Sequence, residues 1–301
     1  MPLPTKLLRA QVSALKPFME NCSIETIRKT HTMTGHVMAA PRRAMARYAP
    51  QTFPDFDAAW VTPKERDLNG VILYLHGGGY VAGNLEYAKG YGTTLAFRNQ
   101  IRVFCVAYRL APEYPYPAAL EDALTAYRYL LGLGYPPEHI ILCGESAGGG
   151  LCYALVHKLR ALHLPLPGGV IGISPWTDLT CSGKFYEVNK DVDPSMTKER
   201  LQHYAALYTV EGGDLRAPFL SPLFGDVSGF PPSLIFAGGD EVMLADAVRM
   251  NEKLVQAGCA SQLIIAPGLW HVYPLYALQE SREATADIIR FIRGILRGDT
   301  V

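Results

Sequence analysis

Ser146 stands in the stretch GESAGGGL (residues 144–151), directly after the apolar run IILC. A G-x-S-x-G sequence between a buried strand and a helix predicts a nucleophile elbow, in which small residues clear a strained turn and the serine hydroxyl projects above the sheet. Glycine clusters after strands more often mark only a tight turn, so this reading needs chemical partners. A serine hydroxyl is a poor nucleophile at neutral pH; it requires a histidine to accept its proton and a carboxylate to orient that histidine. Asp240 follows SLIFAGG (233–239), and His271 follows SQLIIAPG (261–268) by a short loop. Both are thereby predicted at the strand edge that carries Ser146, in the chain order Ser, Asp, His. Asp240 also reads as an N-cap for the following helix, and Asp246, one to two turns inside that helix, is the reserve carboxylate. The other histidines fit less well: His157 and His163 fall in the helix after Ser146, His31, His36 and His203 in cap helices, and His139 at the far end of the nucleophile strand.

Upstream, LYLHGGGY (73–80) ends a strand with three glycines after His76. Amides in such a loop can approach a reacting carbonyl because no Cβ intervenes. Gly78 and Gly79, with the amide of Ala147 and with Gly77 as an alternative donor, are predicted to form an oxyanion hole. One such donor is worth about 3 kcal/mol of transition-state stabilisation.

These residues need a scaffold that brings several strand ends together. From residue 70 the chain alternates short apolar runs with helical patterns, as in a mostly parallel sheet covered on both faces. Strands are expected at 70–76, 101–108, 139–144, 168–176, 233–239 and 261–268. PAALEDALTAYRYLLGLG, AGGGLCYALVHKLRALHL and EVMLADAVRMNEKLVQAG carry helix-period apolar faces between them. Residues 1–50 read as two amphipathic helices, and 177–228 form an insertion longer than a strand–helix–strand unit needs. Both are assigned to a helical cap over the carboxyl edge of the sheet, where open α/β folds bind ligands. The catalytic core is then 51–176 and 229–301.

At 301 residues, one α/β domain with an appended cap is the default. The formal charge is zero and no long basic run occurs, so nothing points to nucleic acid or to an anionic membrane. Arg42, Arg43 and Arg47 read as a solvated face. The N-terminal stretch lacks the continuous apolar core of a secretory signal, which gives a cytoplasmic reading. The six cysteines are scattered without a C-x-x-C pair, so neither a disulfide framework nor a zinc site is expected. Asn21-Cys22-Ser23 fits a glycosylation sequon, which matters only in a secreted protein.

HGGGY, VAYRLAPEYPYPAALEDA (106–123), GESAGGG, SPWTDLT (174–180) and GGDEVMLAD (238–246) together resemble, in order, the blocks of the hormone-sensitive-lipase-like (family IV) carboxylesterases of the α/β-hydrolase superfamily. The resemblance covers roughly 56–295. It implies an α/β-hydrolase fold and hydrolysis of short-chain acyl esters through an acyl-enzyme. Ser146 would be the nucleophile, Asp240 the orienting acid, His271 the base, and Gly78, Gly79 and Ala147 the oxyanion donors. It implies no cofactor or metal, a small-molecule ester as partner, and a homodimer formed through the last strand and its helices. Tyr80, Trp176 and Tyr273 adjoin these residues and are candidates to line the substrate pocket. The chain departs from the pattern at Glu145, where aspartate is more frequent, and at Val272-Tyr273 after the base. An arylacetamide-type amidase is the alternative chemistry. A non-catalytic ligand-binding protein on the same fold is disfavoured because His271 is retained.

Overall fold

The computed structural model describes residues 4–65 and 68–299. The chain opens with α1 (Thr5–Asn21) and α2 (Ile24–Ala39), then β1 (Ala46–Thr52), β2 (Asp57–Pro63), β3 (Val71–Leu75), α3 (Leu85–Asn99), β4 (Arg102–Ala107) and α4 (Ala118–Gly132). It continues through β5 (Ile140–Glu145), α5 (Ala147–Ala161), β6 (Gly169–Ile173), the short α6 (Phe185–Val188), α7 (Lys198–Tyr208), β7 (Ser233–Gly238), α8 (Leu244–Gln256), β8 (Ser261–Ala266) and α9 (Gln279–Arg297). The eight strands form one sheet in the order β1-β2-β4-β3-β5-β6-β7-β8. Pairing is antiparallel at β1–β2 and β2–β4 and parallel from β4 across to β8.

The six expected strands are present, with two more before them. β1 begins at Ala46, inside the stretch assigned to the cap, so the N-terminal α-helices end at Ala39 and a 3₁₀ turn, Ala40–Met45, leads the chain into the sheet. The parallel strands β3 to β7 are buried on both faces, β8 being a half-exposed edge, and alternate residues of β3 feed two cores. Leu73 and Leu75 belong to the core that α4, α5 and α8 cover, whereas Ile72 and Tyr74 belong to the core covered by α3 and α9. That explains why these strands are continuous apolar runs.

The cap is fastened to the core at named points. α2, capped by the Ser23 hydroxyl accepting the Thr26 N–H, lies so close to α3 that a Cβ on Gly35 would run into the Glu86 carbonyl and one on Gly90 into Gly35. Arg28 of α2 donates to the carbonyls of Val81 and Ala111 and pairs with Glu113. In the insertion, Asp246 accepts the N–H groups of Thr177 and Asp178 and the Tyr186 hydroxyl. This buried carboxylate, in the first turn of α8, anchors the start of the insertion and does not reach His271.

Candidate active site

Ser146 sits between β5 and α5 with φ 54° and ψ −124°, a backbone conformation that strains a non-glycine residue by about 1–3 kcal/mol. It is held by its N–H to the Ile173 carbonyl and by its carbonyl accepting from Trp176 and Gly150. The flanking glycines are dictated by space. A Cβ on Gly144 would collide with the Gly148 carbonyl, and one on Gly148 with the carbonyls of Leu75 and His76. The strained turn therefore closes only if both positions lack side chains.

His271 Nε2 lies 2.9 Å from Ser146 Oγ. Its other ring nitrogen, Nδ1, lies 3.1 Å from Oε2 of Glu241. Ser146 and His271 are 7% and 6% exposed, and Glu241 is fully buried. Burial raises the Glu241 pKa, while the histidine and the neighbouring Ser174 hydroxyl favour its ionised form. Ser174 also accepts the Val272 N–H, fixing the start of the turn that follows the histidine.

The carboxylate on His271 is thus Glu241, and the sequence expectation of Asp240 is corrected. Asp240 turns away to Arg9 of α1, at 2.7 Å, with both side chains 29% exposed. The backbone between them explains the divergence. Asp240 N–H bonds to the Leu269 carbonyl, Glu241 N–H to Gly238, and Val242 N–H to the Asp193 carboxylate, so consecutive side chains leave opposite sides of the loop. Asn189 secures the same loop by donating to the carbonyls of Gly239 and Glu241. The signal for Glu241 was its place directly beside Asp240 in the sequence; spacing along the chain does not distinguish neighbours.

On the opposite side of Ser146, the glycine loop is tied to the elbow by Glu145. Its Oε1 accepts the Gly77 N–H at 2.6 Å and its Oε2 the Tyr74 hydroxyl at 2.5 Å. This removes Gly77 from the list of free oxyanion donors. The N–H groups of Gly78, Gly79 and Ala147 donate to no protein acceptor among the described residues. Gly78 and Gly79 both have positive φ, at 116° and 63°, and a Cβ on Gly79 would overlap the Tyr204 ring of α7. Burial pushes the Glu145 carboxyl up to about 7 against the pull of these hydrogen bonds. His31 of α2 stacks on Tyr87 at 4.5 Å and approaches Gly78. Its pKa is pulled down to about 4 by burial and by His76, leaving it neutral at pH 7.

The three aromatic residues expected to line a pocket are buried, with exposures of 1% for Tyr80, 0% for Trp176 and 2% for Tyr273. Tyr80 stacks face to face on Tyr208 of α7 at 3.9 Å and tilts against Trp176 at 6.1 Å. Tyr273 belongs to the core beneath α9, where its carbonyl accepts the Ser281 hydroxyl. Among the described residues no cluster of His, Cys, Asp and Glu could hold a metal ion, and no helix is long and apolar enough to cross a membrane.

A sheet of this topology, with a serine elbow facing a histidine and an acidic residue from later strand ends, defines an α/β-hydrolase. Residues 72–275 match the family described as alpha/beta hydrolase fold. An acetyl-hydrolase of Streptomyces hygroscopicus is 36% identical over 278 residues, covering 87% of this chain and 92% of the relative. An esterase of Acinetobacter venetianus is 34% identical over 73% of this chain and 74% of its own. The crystal structure of an esterase from the bacterial hormone-sensitive lipase family superposes with a TM-score of 0.89 at 33% identity, covering 98% of this chain and all of the other. The chain belongs to the α/β-hydrolase fold family, among its hormone-sensitive-lipase-like esterases, and is a carboxylesterase.

Proposed function

We propose that the protein hydrolyses short-chain carboxylic esters through an acyl-enzyme on Ser146, with His271 as the general base and Glu241 as the acid that orients it. The observation that carries this reading is the unbroken relay from Ser146 Oγ to His271 Nε2 and from His271 Nδ1 to Glu241. As Ser146 attacks the ester carbonyl, its proton passes to Nε2. The buried Glu241 carboxylate holds the Nδ1 tautomer and stabilises the imidazolium. The N–H groups of Gly78, Gly79 and Ala147 take the oxyanion, since among the described residues they have no protein acceptor and they follow the ends of β3 and β5. His271 then protonates the departing alkoxide. Water, deprotonated by the same nitrogen, attacks the acyl-enzyme and returns the serine.

Two observations support a short acyl group. Tyr204 of α7 presses against Gly79, and Ser146 is nearly covered, so the cap leaves little open space over the nucleophile. The Streptomyces relative carries the name acetyl-hydrolase. Each further methylene gains about 0.8 kcal/mol while it fits and loses a similar amount once it meets a wall. On monomeric p-nitrophenyl esters, kcat/KM is expected to peak between acetyl and hexanoyl and to fall at least tenfold by decanoyl. An organophosphonate should label Ser146, and Ser146→Ala should abolish both labelling and turnover. A maximum at dodecanoyl, or an adduct on another serine located by mass spectrometry, overturns the reading.

A further inference from the structure

A cavity of about 490 Å³ lies beside the catalytic relay, between α2, α3, the turn after His271 and the first turns of α9. Neither Ser146 nor His271 lines it; Val272, the residue after the base, does. One part of its wall is apolar, with Val37, Met38 and Leu278. Val37 is 72% exposed, so apolar surface continues out to the mouth. Another part is cationic, formed by Arg42, Arg98 and Arg282.

These three guanidinium groups line one cavity, and Arg98 and Arg282 are exposed. Among the described residues none of them forms an ion pair. Arg42 is half-buried, donates only to the Thr94 hydroxyl at 3.3 Å and lies 6.0 Å from the Phe97 ring, which Arg98 also faces at 5.8 Å. Burial and the nearby charge of Arg98 lower the Arg42 pKa. Like charges gathered at one end of an apolar cavity repel one another, and a carboxylate among them replaces repulsion by charge-assisted hydrogen bonds. The volume falls within the range of roughly 300–1,000 Å³ usual for small-molecule sites.

We propose that this cavity binds a medium-chain fatty acid, its hydrocarbon tail along Val37, Met38 and Leu278 and its carboxylate on Arg42, Arg98 and Arg282. The site is separate from the catalytic cleft and does not depend on the reaction assigned to it.

Calorimetric titration of the full chain with decanoate tests this directly. Saturable binding of one decanoate per chain is expected, weakened about tenfold or more in Arg98→Ala/Arg282→Ala, since a charge-assisted pair is lost. Hydrolysis of p-nitrophenyl acetate by that variant should stay within about twofold, which also verifies its fold. Decanol, which keeps the tail and loses the charge, should bind the unsubstituted protein at least about tenfold more weakly. Protein carrying the organophosphonate on its nucleophile should bind decanoate as well as untreated protein does. Absence of saturable binding, equal affinity for decanol, indifference to the arginine substitutions, or loss of binding after phosphonate treatment each overturns the proposal. The arginine and decanol comparisons read out whether or not Ser146 is the reactive serine.

Discussion

Asp240 and Glu241 are adjacent carboxylates on one loop, and the backbone sends them to opposite tasks. Glu241 faces His271 from a fully buried position, whereas Asp240 joins α1 to the loop in a partly solvated ion pair. Glu241→Gln should therefore retain the fold but leave the imidazole free to adopt the wrong tautomer, lowering kcat by about 10⁴-fold, as comparable triad substitutions do. Asp240→Asn should lower it by less than about tenfold and destabilise the protein by about 1 kcal/mol or less, the usual worth of an exposed pair. Steady-state kinetics on both variants, with circular dichroism as the check on folding, decide the matter; the reverse ranking returns the role to Asp240. The need for a carboxylate just after β7 was legible in the sequence, because serine chemistry requires one and strand ends are where such folds place it. Which of two consecutive carboxylates serves was not, because that depends on how Leu269 and Asp193, remote in the chain, fix the loop's amides.

At the scale of elements, strands buried on both faces announce themselves as apolar runs, and β3 to β7 were readable for that reason; β8 is a half-exposed edge that keeps the apolar run Leu263-Ile264-Ile265. β1 and β2 were not. β1 is an antiparallel edge strand, mostly exposed, with Arg47 and Pro50 within it, and it lacks the apolar continuity of a central strand. α3 carries Gly90 and Gly92 and little amphipathic pattern, since it is buried against α2, β2 and β4 and needs close approach more than a polar face. α1 is the opposite case, a helix with no buried residue. Leu8, Val12 and Met19 pack part-buried against the cores, and polar contacts tether the helix: Arg9 donates to the carbonyls of Gly268 and Val192 and pairs with Asp240, and Lys16 donates to the Asp193 carbonyl. An element held this way opens locally without global unfolding. Arg9→Ala should accelerate amide exchange across residues 5–21 by about tenfold while moving Tm by less than about 3 °C. Hydrogen exchange read by mass spectrometry that leaves this segment as protected as before would show that apolar contacts hold the helix.

Across the whole molecule, 28 basic and 28 acidic residues balance, yet six carboxylates among the described residues are buried: Asp122, Glu145, Asp178, Asp193, Glu241 and Asp246. Asp122 and Asp178 are paired with Arg109 and Arg249, Glu241 faces His271, and Asp193 and Asp246 collect backbone N–H groups. Glu145 has the Gly77 N–H and the hydroxyls of Tyr74 and Tyr87, and among the described residues no cation pairs with it. Desolvation dominates, and its carboxyl titrates near 7 in place of its ordinary 4.5. The sign follows from linkage. A folded-state pKa above the unfolded one gives stability that is fully present below about pH 4.5 and is lost as pH rises through about 7. A shift of that size corresponds to about 3 kcal/mol. Glutamine at this position keeps an oxygen for the Gly77 N–H and carries no ionisable group. The stability of Glu145→Gln relative to the unsubstituted protein should therefore improve by about 3 kcal/mol between pH 4.5 and pH 8, the contributions of all other titrating groups cancelling in the difference. Urea denaturation of both proteins at half-unit pH intervals measures this; two curves that stay parallel across the window would mean that Glu145 is ionised in the folded state at all these pH values and that its hydrogen bonds outweigh its burial.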